Sequence, residues 1–264
     1  MKSTLLSLLA LAAFVYACFC IYLYLMQRSF IYYPTPAAVG APAEELWLDS
    51  DSERIRVWRL HAARPDAIVY FGGNAEDVAF NIPQFSAWFP HHTVYLVNYR
   101  GYGGSSGSPS EAALLKDADV IFKVARDRHR TVSIIGRSLG AAVAVNLAAK
   151  RNIEKLALIT PFDSLASLAR DFYPIFPTSL LLKDKYDSLV LASRIRVPVL
   201  IIIAEHDEII PYRSSERLAD AITAPRTVRV VEGTGHNTIG ASPHFGRALQ
   251  AFMAEGGARG AIRQ

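Results

Sequence analysis

The sequence predicts a parallel, doubly wound α/β body behind one N-terminal membrane-spanning helix, and three observations carry that expectation. An uncharged apolar run occupies Ser3 to Gln27, short β-branched runs alternate with helical patterns from Ala67 to Val231, and Pro34, Pro36 and Pro42 separate the two parts. Strands covered by helices on both faces read as near-continuous apolar runs, and these do. The 264 residues suffice for one or two domains. We divide them into an anchor at 1–28 and one body at 29–264, with a small cap at about 163–196.

Taken in order, the first element is the apolar run. A bilayer core of about 30 Å needs roughly 20 such residues, so the run is long enough to span. A cleaved signal peptide has a shorter apolar core that ends at small residues, whereas Cys18-Phe19-Cys20-Ile21-Tyr22-Leu23 continues this one. Val15-Tyr16-Ala17-Cys18 loosely resembles a lipoprotein cleavage site, but Tyr16 is bulky and no polar tether follows Cys18. A buried core helix is the third alternative, and it would leave a long helix apolar on every side. The expectation is an uncleaved signal-anchor. Lys2 precedes the run, while Arg28 and then Glu44 and Glu45 follow it, which biases the N-terminus to the cytoplasmic side and the body to a periplasm or lumen.

Composition narrows the function classes. At 51% hydrophobic and 20% charged the chain is not a disordered one. The formal net charge is +4, two of the basic residues flank the apolar run, and blocks of like charge are missing, so no nucleic-acid partner is expected. Both cysteines, Cys18 and Cys20, lie in the anchor. The body therefore has no disulfide, thiolate metal site or cysteine nucleophile.

Within the body, Glu45–Leu48 and Ile55–Leu60 read as a hairpin about the turn Asp49-Ser50-Asp51-Ser52. Strands follow at Ala67–Phe71, Thr93–Val97, Val132–Ile135, Leu156–Ile159, Val199–Ala204 and Val228–Val231, with helices between them. The segment from Asp163 to Arg196 exceeds an ordinary crossover and carries Phe172-Tyr173-Pro174-Ile175-Phe176-Pro177 and Leu180-Leu181-Leu182. It is read as the cap.

Three loops carry the chemistry. The strand Val132–Ile135 runs into Gly136-Arg137-Ser138-Leu139-Gly140 and an Ala-rich helix, the strand-turn-helix setting of a nucleophile elbow. The glycines remove Cβ atoms that would crowd the turn, and Ser138 becomes the candidate nucleophile. A neutral serine needs a base to take its proton, and the base needs an acid to orient it. Asp207 follows strand Val199–Ala204, and His236 follows strand Val228–Val231 between Gly235 and Asn237. The chain order Ser138, Asp207, His236 separates this trio from the chymotrypsin and subtilisin orders. Glu205 and Glu208 compete with Asp207 for the acid's role, and Asp163 reads as a helix cap. The remaining histidines lack metal-ligand spacing, so neither a metal nor a cofactor is expected.

Strand Ala67–Phe71 ends in Gly72-Gly73-Asn74-Ala75, a turn suited to presenting a backbone amide. The amides of Asn74 and Leu139 are the expected oxyanion hole. The turn lacks G-x-G-x-x-G spacing and is not a dinucleotide fingerprint. Phe172, Tyr173, Phe176 and Leu181 of the cap are the expected substrate contacts.

With Tyr99-Arg100-Gly101-Tyr102-Gly103, G-R-S-L-G, H-D-E-I-I-P and G-H-N in view, the chain resembles the membrane-anchored, abhydrolase-domain-containing serine hydrolases of the α/β-hydrolase fold. The resemblance covers nearly the whole chain, including Phe30-Ile31-Tyr32-Tyr33-Pro34. It implies a cofactor-free hydrolysis of esters or thioesters through an acyl-enzyme. The apolar cap and the anchor add the expectation of a small-molecule or lipid-like acyl substrate, the alternative being that the cap side chains only pack on the sheet edge and leave a small, open pocket. This chain departs from the family at Gly72-Gly73, where His-Gly is usual, and at Asn98, where an acid is common. The rival expectation is a non-catalytic, membrane-tethered protein that has kept the fold. A further alternative is acyl transfer or carbon–carbon bond hydrolysis on the same trio.

Overall fold

A computed structural model describes residues 2–38 and 40–255. The C-terminal end of the expected body, 256–264, lies outside the described residues. The elements run α1 (Lys2–Ile31), β1 (Glu44–Ser50), β2 (Glu53–Leu60), β3 (Asp66–Phe71), α2 (Ile82–Trp88), β4 (Thr93–Val97), α3 (Glu111–Arg128), β5 (Thr131–Arg137) and α4 (Leu139–Lys150). They continue with β6 (Leu156–Ile159), α5 (Leu165–Phe172), α6 (Thr178–Leu181), α7 (Ser188–Ala192), β7 (Val199–Ala204), α8 (Tyr212–Ala221), β8 (Arg226–Val231) and α9 (Pro243–Ala254).

The strands form one eight-stranded sheet in the order β1-β2-β4-β3-β5-β6-β7-β8. The opening hairpin pairs Leu48 with Ile55 and β2 lies antiparallel to β4, whereas every pairing from β4 to β8 is parallel. Side chains alternate along each strand, and in the central strands β3 to β7 both sets are buried, whereas the edge strands β1 and β8 are largely exposed. In β7, Val199, Ile201 and Ile203 join the core that holds Leu114, Ile121, Val143 and Leu218, while Leu200, Ile202 and Ala204 join the one that holds Ile82, Phe85, Phe245 and Leu249. The first core thus takes α3, α4 and α8 and the second takes α2 and α9. Burial on both faces is why the central strands carry continuous apolar runs rather than an alternating pattern.

The order around β3 positions the site. The chain leaves β3 to build β4 on one side and then crosses to build β5 on the other, so the loops after β3 and β5 open side by side. Such a switch point leaves a crevice at the carboxyl ends of the strands.

At the other end of the chain, α1 is a 30-residue helix with mean hydropathy 2.4 in its most apolar stretch, long and apolar enough to cross a membrane. It runs past the expected boundary at Arg28 to Ile31. Its C-terminal half rests on the segment between β6 and β7. Phe176 stacks on Tyr16 with ring centroids 5.9 Å apart, and also meets Phe19 at 5.5 Å.

Candidate active site

Ser138 sits at φ 51°, ψ −114°, a left-handed conformation that a residue with a side chain adopts only under constraint. Its neighbours explain how. A Cβ at Gly136 would lie 2.3 Å from the Gly140 carbonyl oxygen, and one at Gly140 would lie 2.0 Å from that of Phe71. Only glycine lets the strand, the turn and the first turn of α4 close this tightly. Ser138 consequently precedes a helix N-terminus, where backbone amides have no acceptor within the helix.

Three side chains from three loops meet there. His236 Nε2 stands 3.0 Å from Ser138 Oγ, and His236 Nδ1 stands 2.8 Å from Asp207 Oδ2 and 3.0 Å from Oδ1. All three side chains are at most a tenth exposed. Asp207 Oδ1 also accepts the amides of Ile209, at 3.0 Å, and Ile210, at 2.7 Å, so its own loop fixes the carboxylate. The competing acids lie elsewhere. Glu205 accepts the Gly233 amide at 2.8 Å and Glu208 accepts the His236 amide at 3.0 Å, so both brace the histidine loop through its backbone.

Asp163 is not the helix cap expected of it. Ser164 takes that place, accepting the Ser167 amide, while buried Asp163 binds Ser214 Oγ at 2.7 Å and Arg217 at 2.8 Å. The physical reason is position: Asp163 faces α8, and its charge is matched by the arginine there.

The turn after β3 abuts Ser138, since a Cβ at Gly73 would lie 3.7 Å from Ser138 Cβ. Among the described residues, the Asn74 and Leu139 amides donate to no other protein group. What braces the turn is Glu76, which sequence reasoning missed. Its carboxylate accepts the Gly73 amide at 2.7 Å, Tyr70 Oη at 2.6 Å, Asn81 Nδ2 at 2.6 Å and Arg137 Nη1 at 3.1 Å. Burial pushes the Tyr70 phenol well up, which keeps it a neutral donor. Arg137 reaches on to the His236 carbonyl oxygen at 3.1 Å. One partly buried ion pair therefore ties the turn, the elbow and the histidine loop together. The spacing from Gly73 to Glu76 is that of a capping box and was the available signal.

The Asn74 side chain has a task that the sequence did not announce. Its Nδ2 donates to the Ile31 carbonyl oxygen at 2.6 Å, while its Oδ1 accepts Tyr102 Oη at 2.7 Å and the Tyr33 amide at 3.1 Å. The end of α1 is thereby fastened to the turn beside Ser138.

An open cleft of about 1250 Å³ leads to Ser138 and His236. Its walls come from the link after α1, including Tyr33, Pro36 and Pro42, and from Phe80, Pro83 and Ile209. None of the expected cap contacts lines it. Phe172 and Tyr173 point to solvent, Phe176 packs on α1, and the Leu181 carbonyl accepts Gln27 Nε2 at 3.0 Å. The cap was expected over the substrate, but α1 takes Phe176 with its aromatic face and the Leu181 carbonyl with Gln27, and Phe172 and Tyr173 are left facing outwards. Among the described residues, no three His, Cys, Asp or Glu side chains gather as metal ligands.

Comparison with known proteins agrees with this geometry. A family profile described as the alpha/beta hydrolase fold matches residues 66–191. The uncharacterized protein Rv2307c of Mycobacterium tuberculosis is 33% identical over 247 residues, 88% of each chain, and the uncharacterized protein YfhR of Escherichia coli is 28% identical over 239 residues, 83% of each. Among solved structures, the Pyrococcus furiosus esterase Pf2001 superposes with a TM-score of 0.67 at 16% identity, covering 84% of this chain and 96% of its own. Sheet order, strained elbow and shared sequence converge, and the chain belongs to the α/β-hydrolase-fold family.

Proposed function

We propose that the protein is a serine hydrolase that cleaves carboxylic esters or thioesters through an acyl-enzyme, held at a membrane by α1. The observation that carries the reading is the unbroken chain Ser138 Oγ, His236, Asp207, with spacings of 3.0 and 2.8 Å, at a serine in a strained elbow. Ser138 Oγ attacks the carbonyl carbon as His236 Nε2 takes its proton. The carbonyl oxygen becomes an oxyanion that the Asn74 and Leu139 amides stabilise, and Asp207 holds His236 through Nδ1. The tetrahedral adduct collapses, His236 returns the proton to the departing alkoxide or thiolate, and Ser138 keeps the acyl group. Water then attacks that ester with His236 again as base, which releases the acid and restores Ser138.

Pro36, Pro42, Phe80, Pro83 and Ile209 give the cleft apolar walls, which suit an acyl chain better than a polar headgroup. The apolar stretch of α1 and the Lys2 side bias support a single-pass anchor with the body outside the cytoplasm. The test is a panel of p-nitrophenyl esters of graded acyl length with acyl thioesters alongside. The reading expects kcat/KM to rise with chain length, by about 0.8 kcal/mol of transition-state binding per buried methylene until the cleft is filled. A maximum at acetyl with steep decline afterwards overturns the lipid-like substrate, and no turnover of any member overturns the hydrolase.

A further inference from the structure

The cap segment Phe172–Leu182 contains no charged residue, yet it is among the most exposed parts of the body. Ile175 is 72% exposed and Leu180 81%, with Phe172 and Tyr173 also exposed. A water-facing tip would not collect such side chains, and contiguous exposed apolar surface marks an interaction site.

Its contacts along α1 change polarity in one direction. Deepest along the helix, Tyr16 and Phe19 meet Phe176; further on, Lys183 lies 4.1 Å from the centre of the Tyr24 ring; beyond that, Gln27 binds Lys183 and Leu181 through their backbone. At the end, Arg28 pairs with buried Asp184 at 3.0 Å. This is the sequence of environments met on leaving a bilayer: hydrocarbon, aromatic belt, charged surface.

The backbone of the tip is also suited to a place short of water, where each unpaired polar group is costly. Pro174 and Pro177 have no amide hydrogen to satisfy. The Ile175 carbonyl accepts Tyr16 Oη at 2.7 Å, and the Leu180 and Leu181 amides donate to the Pro177 carbonyl at 3.0 Å.

Helix geometry gives the depth. Counting about 20 residues from Ser3 for a core of about 30 Å places the outer hydrocarbon boundary near Tyr22. Tyr16, which holds the tip, lies six residues earlier, or about 9 Å inside, within the roughly 5–10 Å reached by interfacial apolar faces.

We infer that the tip of the cap, from Tyr173 to Leu180, is a second membrane contact that inserts into the leaflet from which α1 emerges. Its occupant is the lipid bilayer, and the inference rests on the reading of α1 as a membrane anchor. It sets the tilt of the body in the bilayer, because a single span can tilt together with the domain fastened to it, whereas two insertions fix the mouth of the cleft relative to the lipid.

The experiment uses the full chain in phosphatidylcholine vesicles, with and without bromine high on the acyl chains, which quenches nearby tryptophan. Ile175→Trp and Leu180→Trp each place a reporter on the tip, so either one serves if the other does not fold, and Val228→Trp on the edge strand β8 is the control. Emission is read as the difference from the parent chain, with its Trp47, Trp58 and Trp88. The expected result is that brominated lipid lowers the tip reporters' added emission about twofold, as insertion of roughly 5–10 Å requires, and leaves the Val228→Trp signal unchanged. Vesicle flotation separates the two readings. Protein that floats but shows no quenching at either tip position overturns the insertion and leaves the anchor intact. Protein that does not float overturns both.

Discussion

The corner around Ser138 and the seam between α1 and the cap bury polar groups in opposite ways. At the corner the charges are largely enclosed and cross-braced: Glu76 accepts four donors and Asp207 three, from the carboxyl ends of neighbouring strands and the segments that follow them. Along the seam the polar side chains Gln27, Arg28 and Asp184 gather at one end, while further along α1 the contacts are chiefly ring on ring, with one hydrogen bond from Tyr16 to the Ile175 carbonyl. A rigid hydrogen-bonded corner can hold catalytic groups within a fraction of an ångström, and a graded seam can sit across a boundary between two solvents. The difference predicts that damage at the corner appears in turnover and damage at the seam in stability.

The largest expected effect is at the nucleophile. Ser138→Ala and His236→Ala should each lower kcat by about 10⁶-fold, with the double variant no worse, because members of such a unit do not contribute additively. Thermal melts should stay close to the parent. Next, Asp207→Asn should cost about 10⁴-fold in kcat by favouring the wrong histidine tautomer. Asp163→Asn should leave kcat near the parent value and lower Tm, since its partners Ser214 and Arg217 lie on α8, away from the cleft. A reversed pair of results would move the acid.

Glu76→Gln is smaller and sharper. It keeps the shape and removes the charge that Arg137 and the Gly73 amide share, so kcat should fall about 10- to 100-fold, less than the roughly 10²–10³ of a lost oxyanion donor, with KM nearly unchanged. Equal falls in Tm and in both kinetic constants would mean that the residue only holds the fold.

At the seam, Asp184→Asn should lower stability by about 2 kcal/mol with kcat kept, discounted because Arg28 is half-exposed. The smallest effect is with pH. Burial pushes the Tyr32 and Tyr186 phenols above their ordinary value of 10.0. Their stabilisation is fully present below that ordinary value and is lost above it, as the unfolded chain ionises and the folded one does not. Tm should therefore decline in alkaline buffer, and more shallowly in Tyr32→Phe combined with Tyr186→Phe.

The two regions also differ in how far they could be read from residues alone. The meeting of Ser138, His236 and Asp207 and the elbow itself were legible because each residue lies within a few positions of a strand end, where local pattern fixes its place in the fold. The parallel strands β3 to β7 were legible because their apolar runs are continuous, and β8 was legible from its β-branched residues although Arg229 interrupts the run. Glu76 was less so, since a carboxylate in a loop gives no local sign of burial. The seam was not legible: Tyr16 meets Ile175 across 159 residues, and Gln27 meets Leu181 across 154. Apolar cap residues predict burial against something, but the sheet, the substrate and the anchor were equally good partners by composition, and only three-dimensional packing chose α1. The same reasoning misread Asp163, whose partners arrive more than fifty residues later on α8.

The central claim is that Ser138 is an activated nucleophile, and intact-mass labelling of the full chain with a fluorophosphonate tests it most directly. The account predicts one adduct, located at Ser138 by peptide mapping, formed in the parent chain and absent from Ser138→Ala. A folded parent chain that stays unlabelled, or an adduct that persists on another residue in Ser138→Ala, would contradict it.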